Sequence, residues 1–402
     1  MEKKKKIMET KTNITPSEKI LTLPKYIFAE LNEWKDAERA KGNQLIDLGI
    51  GNPDGPTPQP IVEAAIQSMQ NPENHGYPHF KGKLEFRQAI SKWMKERYDV
   101  EIDPETEIQT LVGAKEGLAN VAMAFTNPGD TNIAHDPYYP VLSRGTWVAG
   151  GDVYHTPLLE ENDFLIDLKS IPEDVAKRAK IFFVNYPNNP TAAIAPKEFL
   201  EELVAFCKKY SILLCYDMAY GEVCFDGYRP PSIFSIEGAK DVAVEYHSFS
   251  KTFNMAGWRI GFVVGREDYI KAIHDMKTNT DYGTSSIVQD AAIAALEVDY
   301  SHIKKTMDNY ARRRIFTTEG FTKLGWKTRK TAATMYLWLK IPKGYDSKSW
   351  CKMVLEKTGV VFTPGIAFGK YSDGFFRVSL VQPDEQIKEA LERLEKAGIR
   401  YE

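Results

Sequence analysis

Lys251 stands between two small hydroxyl residues in Ser248-Phe249-Ser250-Lys251-Thr252, and Arg259 follows eight residues later between Trp258 and Ile260. Most lysines are solvated surface charges, but the neighbours here are those of a core. Ala243-Val244-Glu245-Tyr246-His247 before it and Ile260-Gly261-Phe262-Val263-Val264-Gly265 after it read as strands. A lysine between two buried strands is unfavourable unless it is neutralised, for example as an imine. Desolvation lowers the lysine pKa and suits the amine to condensation with a carbonyl. Ser248, Ser250 and Arg259 add two hydroxyls and a forked guanidinium, a set suited to a phosphate. Two further charges stand in strand-like runs. Asp217 ends Ile212-Leu213-Leu214-Cys215-Tyr216, and Arg377 lies inside Phe375-Phe376-Arg377-Val378-Ser379-Leu380. A carboxylate at a buried strand end needs a partner, or serves as a helix N-cap. An arginine in an apolar strand needs an anion, from a ligand or from an internal salt bridge.

The rest of the chain must position these groups. Its 402 residues are enough for a large core and two domains. With 43% hydrophobic and 27% charged residues, the composition is that of a soluble enzyme. A net charge of −3 gives no electrostatic case for nucleic acid or an anionic membrane, and no apolar run approaches a membrane span. The lysine-rich start, Met1 to Lys6, has no apolar stretch behind it and reads as a solvated terminus rather than a secretory signal. Cys207, Cys215, Cys224 and Cys351 show no metal or redox spacing, so reduced thiols and a cytoplasmic location are expected, with no metal.

In chain order, a helix is expected through Ile27–Trp34, then a short strand at Leu45–Leu48 entering the Gly/Pro turn Gly49–Pro56, where Gly51 allows close backbone approach. Leu84–Arg97 reads as an amphipathic helix after the loop His75–Gly82; His75 and His79 have no metal spacing. Ile108–Gly117 reads as strand, glycine turn and helix start, so the N–H groups of Ala114 and Lys115 become candidates for holding a phosphate. Tyr138 and Tyr139 follow the strand Thr131–His135, where ligands bind in open α/β sheets. Ile181–Asn185 is a continuous apolar run, as in a parallel strand covered on both faces. Pro196–Tyr210 reads as a helix with proline at its start. Lys277, and the Arg312-Arg313-Arg314 cluster on a long helix from about Ile303, read as solvated charges.

The pattern Ser248-Phe249-Ser250-Lys251…Gly257-Trp258-Arg259-Ile260-Gly261 resembles the lysine region of fold-type I, class I/II pyridoxal-phosphate aminotransferases. The resemblance runs from about Leu48 to Leu380, with Tyr139, Asn189, Asp217, Tyr220, Lys251, Arg259 and Arg377 in the family's order. It implies a three-layer α/β/α large domain with a mostly parallel sheet, here 48–297, and a smaller α+β domain from 1–47 and 298–402. It implies pyridoxal 5'-phosphate bound through Lys251, with Ala114, Lys115, Ser248, Ser250 and Arg259 at the phosphate. Tyr139 is implied to stack on the ring, Asn189 and Tyr220 to reach its 3'-oxygen, and Asp217 to pair with the ring nitrogen. Gly51, Asn189 and Arg377 are implied for substrate, Arg377 holding the α-carboxylate. Tyr77 is implied to cross a homodimer interface to the partner's phosphate. The loop Thr278–Ser286 is implied to help set specificity. One departure is Ala192, where the family's Asn-Pro-Thr-Gly element has glycine.

The stretches at 51–55, 75–77, 98–105 and 115–117 look closest to a branch holding bacterial glutamate–pyruvate (alanine) aminotransferases and LL-diaminopimelate aminotransferases. The expected activity is therefore ping-pong amino transfer between an amino acid and a 2-oxo acid, glutamate–pyruvate first. LL-diaminopimelate, then aspartate or broad specificity, are the alternatives. A pyridoxal-dependent C–S β-lyase shares the fold and most of these residues. A pyridoxal-binding regulator would need an added DNA-binding domain, for which the stretch before Gly51 leaves no room.

Overall fold

The computed structural model describes residues 14–23 and 27–401, so the lysine-rich start lies outside the described residues. A short strand β1 (Ile46–Asp47) precedes a seven-stranded sheet. Its strands are β2 (Ile108–Leu111), β3 (Thr131–Asp136), β4 (Asp152–Pro157), β5 (Ala179–Asn185), β6 (Leu213–Asp217), β7 (Ala243–Ser248) and β8 (Gly261–Gly265). They lie in the order β2-β8-β7-β6-β5-β3-β4, and β8 alone runs against its neighbours. The continuous apolar runs that predict parallel strands are buried residue after residue over Ile181–Asn185 of β5 and throughout β6, because helices cover both faces. This is the mostly parallel α/β sheet expected of the family.

Register places the chemistry. Asn185, Asp217 and Tyr246 are aligned across β5, β6 and β7, so one row at the carboxyl edge presents an amide beside a carboxylate. At the same carboxyl edge, Leu111 pairs with Gly261 and Gly261 with Ser248. That row brings together the turn after β2, the approach to β8 that carries Arg259, and the residues leading to Lys251. Gly113 sits at φ +80, where a Cβ would meet the Arg259 guanidinium, and it starts the helix Ala114–Phe125.

The chain beyond the long helix Tyr300–Lys323 forms β9 (Tyr336–Lys340), β10 (Val360–Val361), β11 (Thr363–Pro364) and β12 (Phe375–Ser379). The order β11-β12-β9 is antiparallel, and β10 pairs with β1. Arg377 lies on the central strand β12, opposite Thr363 and Trp338.

Two expectations are corrected. Lys277 is fully buried, not solvated; its ammonium pairs with Asp281 at 2.8 Å and Glu116 at 3.3 Å. It thereby ties the helix Glu267–Thr278 and the loop behind it to the helix Ala114–Phe125. Arg313 and Arg314 are also buried, Arg313 against Asp54 and Asp384, Arg314 against Asp226; only Arg312 of the three is exposed. Asp281 is four residues from Lys277, but Glu116, Asp54, Asp384 and Asp226 come from distant segments, which local sequence does not show.

Gly365 is a tight point of the small sheet, where a Cβ would collide with the carbonyl oxygens of Ser372 and Phe375. Backbone cannot retreat as a side-chain tip can, so Gly365→Ala is expected to destabilise the protein by about 1–3 kcal/mol. Thermal denaturation checks this, and an unchanged melting temperature would contradict it.

Candidate active site

A cavity of about 280 Å³ opens where the carboxyl edge of the seven-stranded sheet meets β9 and β12. Gly51, Ala114, Lys115, Tyr139, Asn189 and Asp217 line it, and so do Tyr220, Ser248, Ser250, Lys251, Arg259 and Arg377. Of the residues expected from sequence, only Tyr77 lies elsewhere. It is 83% exposed and stacks on Tyr282, with ring centroids 4.4 Å apart.

One end of the cavity is built for an anion. The helix Ala114–Phe125 opens there, with the N–H groups of its first turn and its positive dipole end. Ser248 and Ser250 add hydroxyls; the Ser248 Oγ accepts the Ser250 N–H at 3.2 Å. Arg259 adopts left-handed backbone, φ +57, a strained geometry of the kind that persists at functional sites. Its guanidinium donates to the carbonyls of Ala256 at 2.9 Å and Val112 at 3.4 Å. It forms no salt bridge among the described residues, so its charge remains available to a ligand.

The opposite end carries Asp217. Its carboxylate accepts the Ala219 N–H at 3.1 Å and no other hydrogen bond among the described residues. Burial pushes its pKa up to about 6, against the lowering effects of the Ala219 N–H and His247. A cationic ring N–H placed there would supply the missing partner. Asn185 reinforces this edge, donating from Nδ2 to the Asp217 carbonyl at 2.9 Å and accepting the Asn189 N–H at 2.9 Å. Asn188 turns inward to hold Thr191, while Asn189 faces the cavity. Tyr138 packs on His155 at 4.8 Å, which leaves the cavity to Tyr139. Ala192 takes φ +58, so alanine accepts the left-handed turn in which the family places glycine.

Lys251 lies between these ends. Its Nζ donates to the Gly51 carbonyl at 2.5 Å. Burial, then the nearby charges of Arg377 and Arg259, push its pKa down to about 8. The amine is thus a competent nucleophile and base at mildly alkaline pH. Arg377 is 3% exposed and bonds only neutral oxygens, Asn189 Oδ1 at 2.7 Å and the Gly49 carbonyl at 2.6 Å. Its Nε has no partner, and no internal salt bridge among the described residues offsets its charge. A buried guanidinium in this state is suited to a carboxylate partner.

The donor set fits pyridoxal phosphate: an anion cradle, an amine and a buried carboxylate in one cavity.

Sequence reasoning missed Phe28, Asn185 and Tyr336 as cavity residues. Tyr336 has its hydroxyl 3.0 Å from that of Tyr220 and its ring 4.2 Å from the Arg377 guanidinium. A Cβ on Gly51 would collide with the Tyr336 hydroxyl, so tyrosine at 336 requires glycine at 51. Asn185 was findable, because it ends a parallel strand as Asp217 ends the next. Phe28 and Tyr336 stand in ordinary apolar patterns and carry no such signal.

The family model described as aminotransferase class I and II matches residues 43–394. The LL-diaminopimelate aminotransferase of Aquifex aeolicus is 48% identical over 383 residues, covering 95% of this chain and 99% of that protein. The enzyme of the same name from Halothermothrix orenii is 45% identical, covering 96% and 99%. Among solved structures, substrate-bound BacF from Bacillus subtilis has a TM-score of 0.93 at 38% identity, covering 97% of this chain and 99% of that one.

Lys251 gives a pH-dependent prediction for the cofactor-free protein. Its folded pKa of about 8 lies below the ordinary 10.5, so between these values the unfolded chain holds more protons. The stability penalty is full below the folded pKa and fades as pH rises through that window. Lys251→Met is expected to stabilise the protein by up to roughly 3 kcal/mol at pH 7, with a smaller gain near pH 10. Equal gains at both pH values in thermal melts would contradict the buried-amine assignment.

Proposed function

The chain belongs to the class I and II aminotransferases and is a pyridoxal-phosphate-dependent transaminase, and from that premise we propose that it moves an amino group between LL-diaminopimelate and a 2-oxo acid. The observation that carries this choice is the near-full-length similarity to relatives named for LL-diaminopimelate. The glutamate–pyruvate reading, first from sequence, becomes the second. It rests on motif stretches that do not separate the two activities.

In the proposed mechanism, Arg377 binds the α-carboxylate and Asn189 holds the Arg377 fork in place. Gly51 presents backbone at the same spot. When bound, pyridoxal phosphate supplies the carbonyl that condenses with amines and the electron sink for charge left at the substrate Cα. Ser248, Ser250, Arg259 and the N–H groups of Ala114 and Lys115 would hold its phosphate, and Tyr139 would lie against its ring. Asp217 would keep a proton on the ring nitrogen. Burial and Tyr336 push the Tyr220 phenol well above its ordinary pKa, so it stays protonated and donates, beside Asn189, to the ring oxygen. With substrate bound, the Lys251 Nζ would act as general base on the substrate Cα proton and, as general acid, would give a proton back to Cα in the second half-reaction.

Further parts of the proposal are a large domain of 48–297, a small domain of 1–47 with 298–402, and action in the cytoplasm as a homodimer. Tyr77 supports the dimer, being exposed and outside its own cavity. No helix among the described residues is long and apolar enough to cross a membrane.

Steady-state kinetics with single donors test the substrate. LL-diaminopimelate is expected to give the highest kcat/KM, above alanine, glutamate and aspartate; alanine ranking first would restore the glutamate–pyruvate reading. Arg377→Ala is expected to lower kcat/KM by about 2–5 kcal/mol, as for cutting half of a buried charge pair. Unchanged kinetics would refute the carboxylate assignment.

A further inference from the structure

The loop that lies over Lys251 and Arg377 contains no helix or strand between Leu48 and Pro58. Its carbonyls nonetheless do specific work, since Gly49 accepts from Arg377 and Gly51 from Lys251. The flanks are tied down. Asp47 Oδ1 accepts the Gly49 N–H at 2.9 Å, and Thr57 Oγ1 donates to the Asn254 carbonyl at 2.8 Å. Between these flanks the loop's charged anchor is Asp54, and its partner is Arg313, 259 positions later.

Arg313 grips Asp54 with both terminal nitrogens, Nη1 at 2.9 Å and Nη2 at 2.8 Å. The same guanidinium donates from Nε to Asp384 at 3.0 Å and from Nη1 to the Leu380 carbonyl at 3.1 Å. Leu380 directly follows β12, the strand that carries Arg377. One buried guanidinium therefore joins the loop to the end of the Arg377 strand, and neither Arg313 nor Asp54 lines the cavity. We propose that Arg313 is a positioning residue for carboxylate recognition: by clamping Asp54 it sets the Gly49 backbone against Arg377.

A bidentate fork fixes direction as well as distance, and lysine cannot reproduce it. Without the clamp the loop can shift away from Arg377, and displacements of an ångström at a binding group are felt strongly in catalysis. The loss should fall on ligands that carry an α-carboxylate and spare those that do not. This proposal rests on the reading of Arg377 as the carboxylate anchor.

The test compares holoenzyme variants Arg313→Ala, Arg313→Lys and Asp54→Asn on an amino-acid donor and on the amine that lacks its carboxylate. Asp54→Asn is nearly isosteric and keeps a folded variant in hand. For the amino acid, kcat/KM is expected to fall about tenfold or more, chiefly through KM, while the amine is unaffected. Propionate, an unreactive carboxylate, is expected to bind the variants about tenfold more weakly in calorimetry. Asp54→Asn combined with Arg313→Ala should be no worse than the worse single variant, since both break one contact. Equal losses for acid and amine, or no loss, overturn the proposal. Arg377→Ala is the control. If it leaves the acid-to-amine ratio intact, the anchor reading fails and the clamp with it. If it collapses the ratio and the Arg313 and Asp54 variants do not, the clamp alone fails.

Discussion

Two cations, Lys251 and Arg377, share one buried cavity in which neither forms a salt bridge among the described residues. Both are held by neutral oxygens, chiefly backbone carbonyls of one glycine loop. Backbone carbonyls orient a donor without cancelling its charge, so the cavity keeps a positive field for incoming anions. Burial lowers the Lys251 pKa, and the nearby charges of Arg377 and Arg259 lower it further. A cavity open to anions and a reactive amine are thus two results of one arrangement. A carboxylate side chain placed between these cations would abolish both.

The fold is the means of holding that arrangement open. The parallel strands deliver Asn185 and Asp217 to one edge, and the antiparallel β8 sets Gly261 between Leu111 and Ser248. The small sheet brings Arg377 across from the other side, backed by the rings of Tyr336 and Phe368. Gly51 passes close to Tyr336 because it has no side chain. Buried ion pairs at the rim, Arg313 with Asp54 and Lys277 with Glu116 and Asp281, fix loops that have no regular structure of their own.

Much of this was legible in the sequence, for a physical reason. Asp217 and Arg377 are charges in strand-like apolar runs and Lys251 stands between two such runs, and a charge there announces that a partner exists. The helix start at Ala114 and the strand end at Asn189's turn were legible in the same way, from turn chemistry. Reading Arg313 and Lys277 as solvated went astray because a charge on a helix looks the same whether water or a distant carboxylate faces it. Asp54 and Arg313 are far apart in the chain, and only the fold makes them neighbours. Tyr336 was hidden by the opposite effect: an aromatic in a strand is ordinary core until the residues opposite it are known.

The most direct test of the account is the visible absorption spectrum of the purified protein supplied with pyridoxal phosphate. The account predicts a band that depends on Lys251, is lost when LL-diaminopimelate is added and returns with a 2-oxo acid, and is missing in Lys251→Ala. A wild-type protein with no such band, or with a band that amino acids leave untouched, would contradict the claim that the buried amine is the centre of this site.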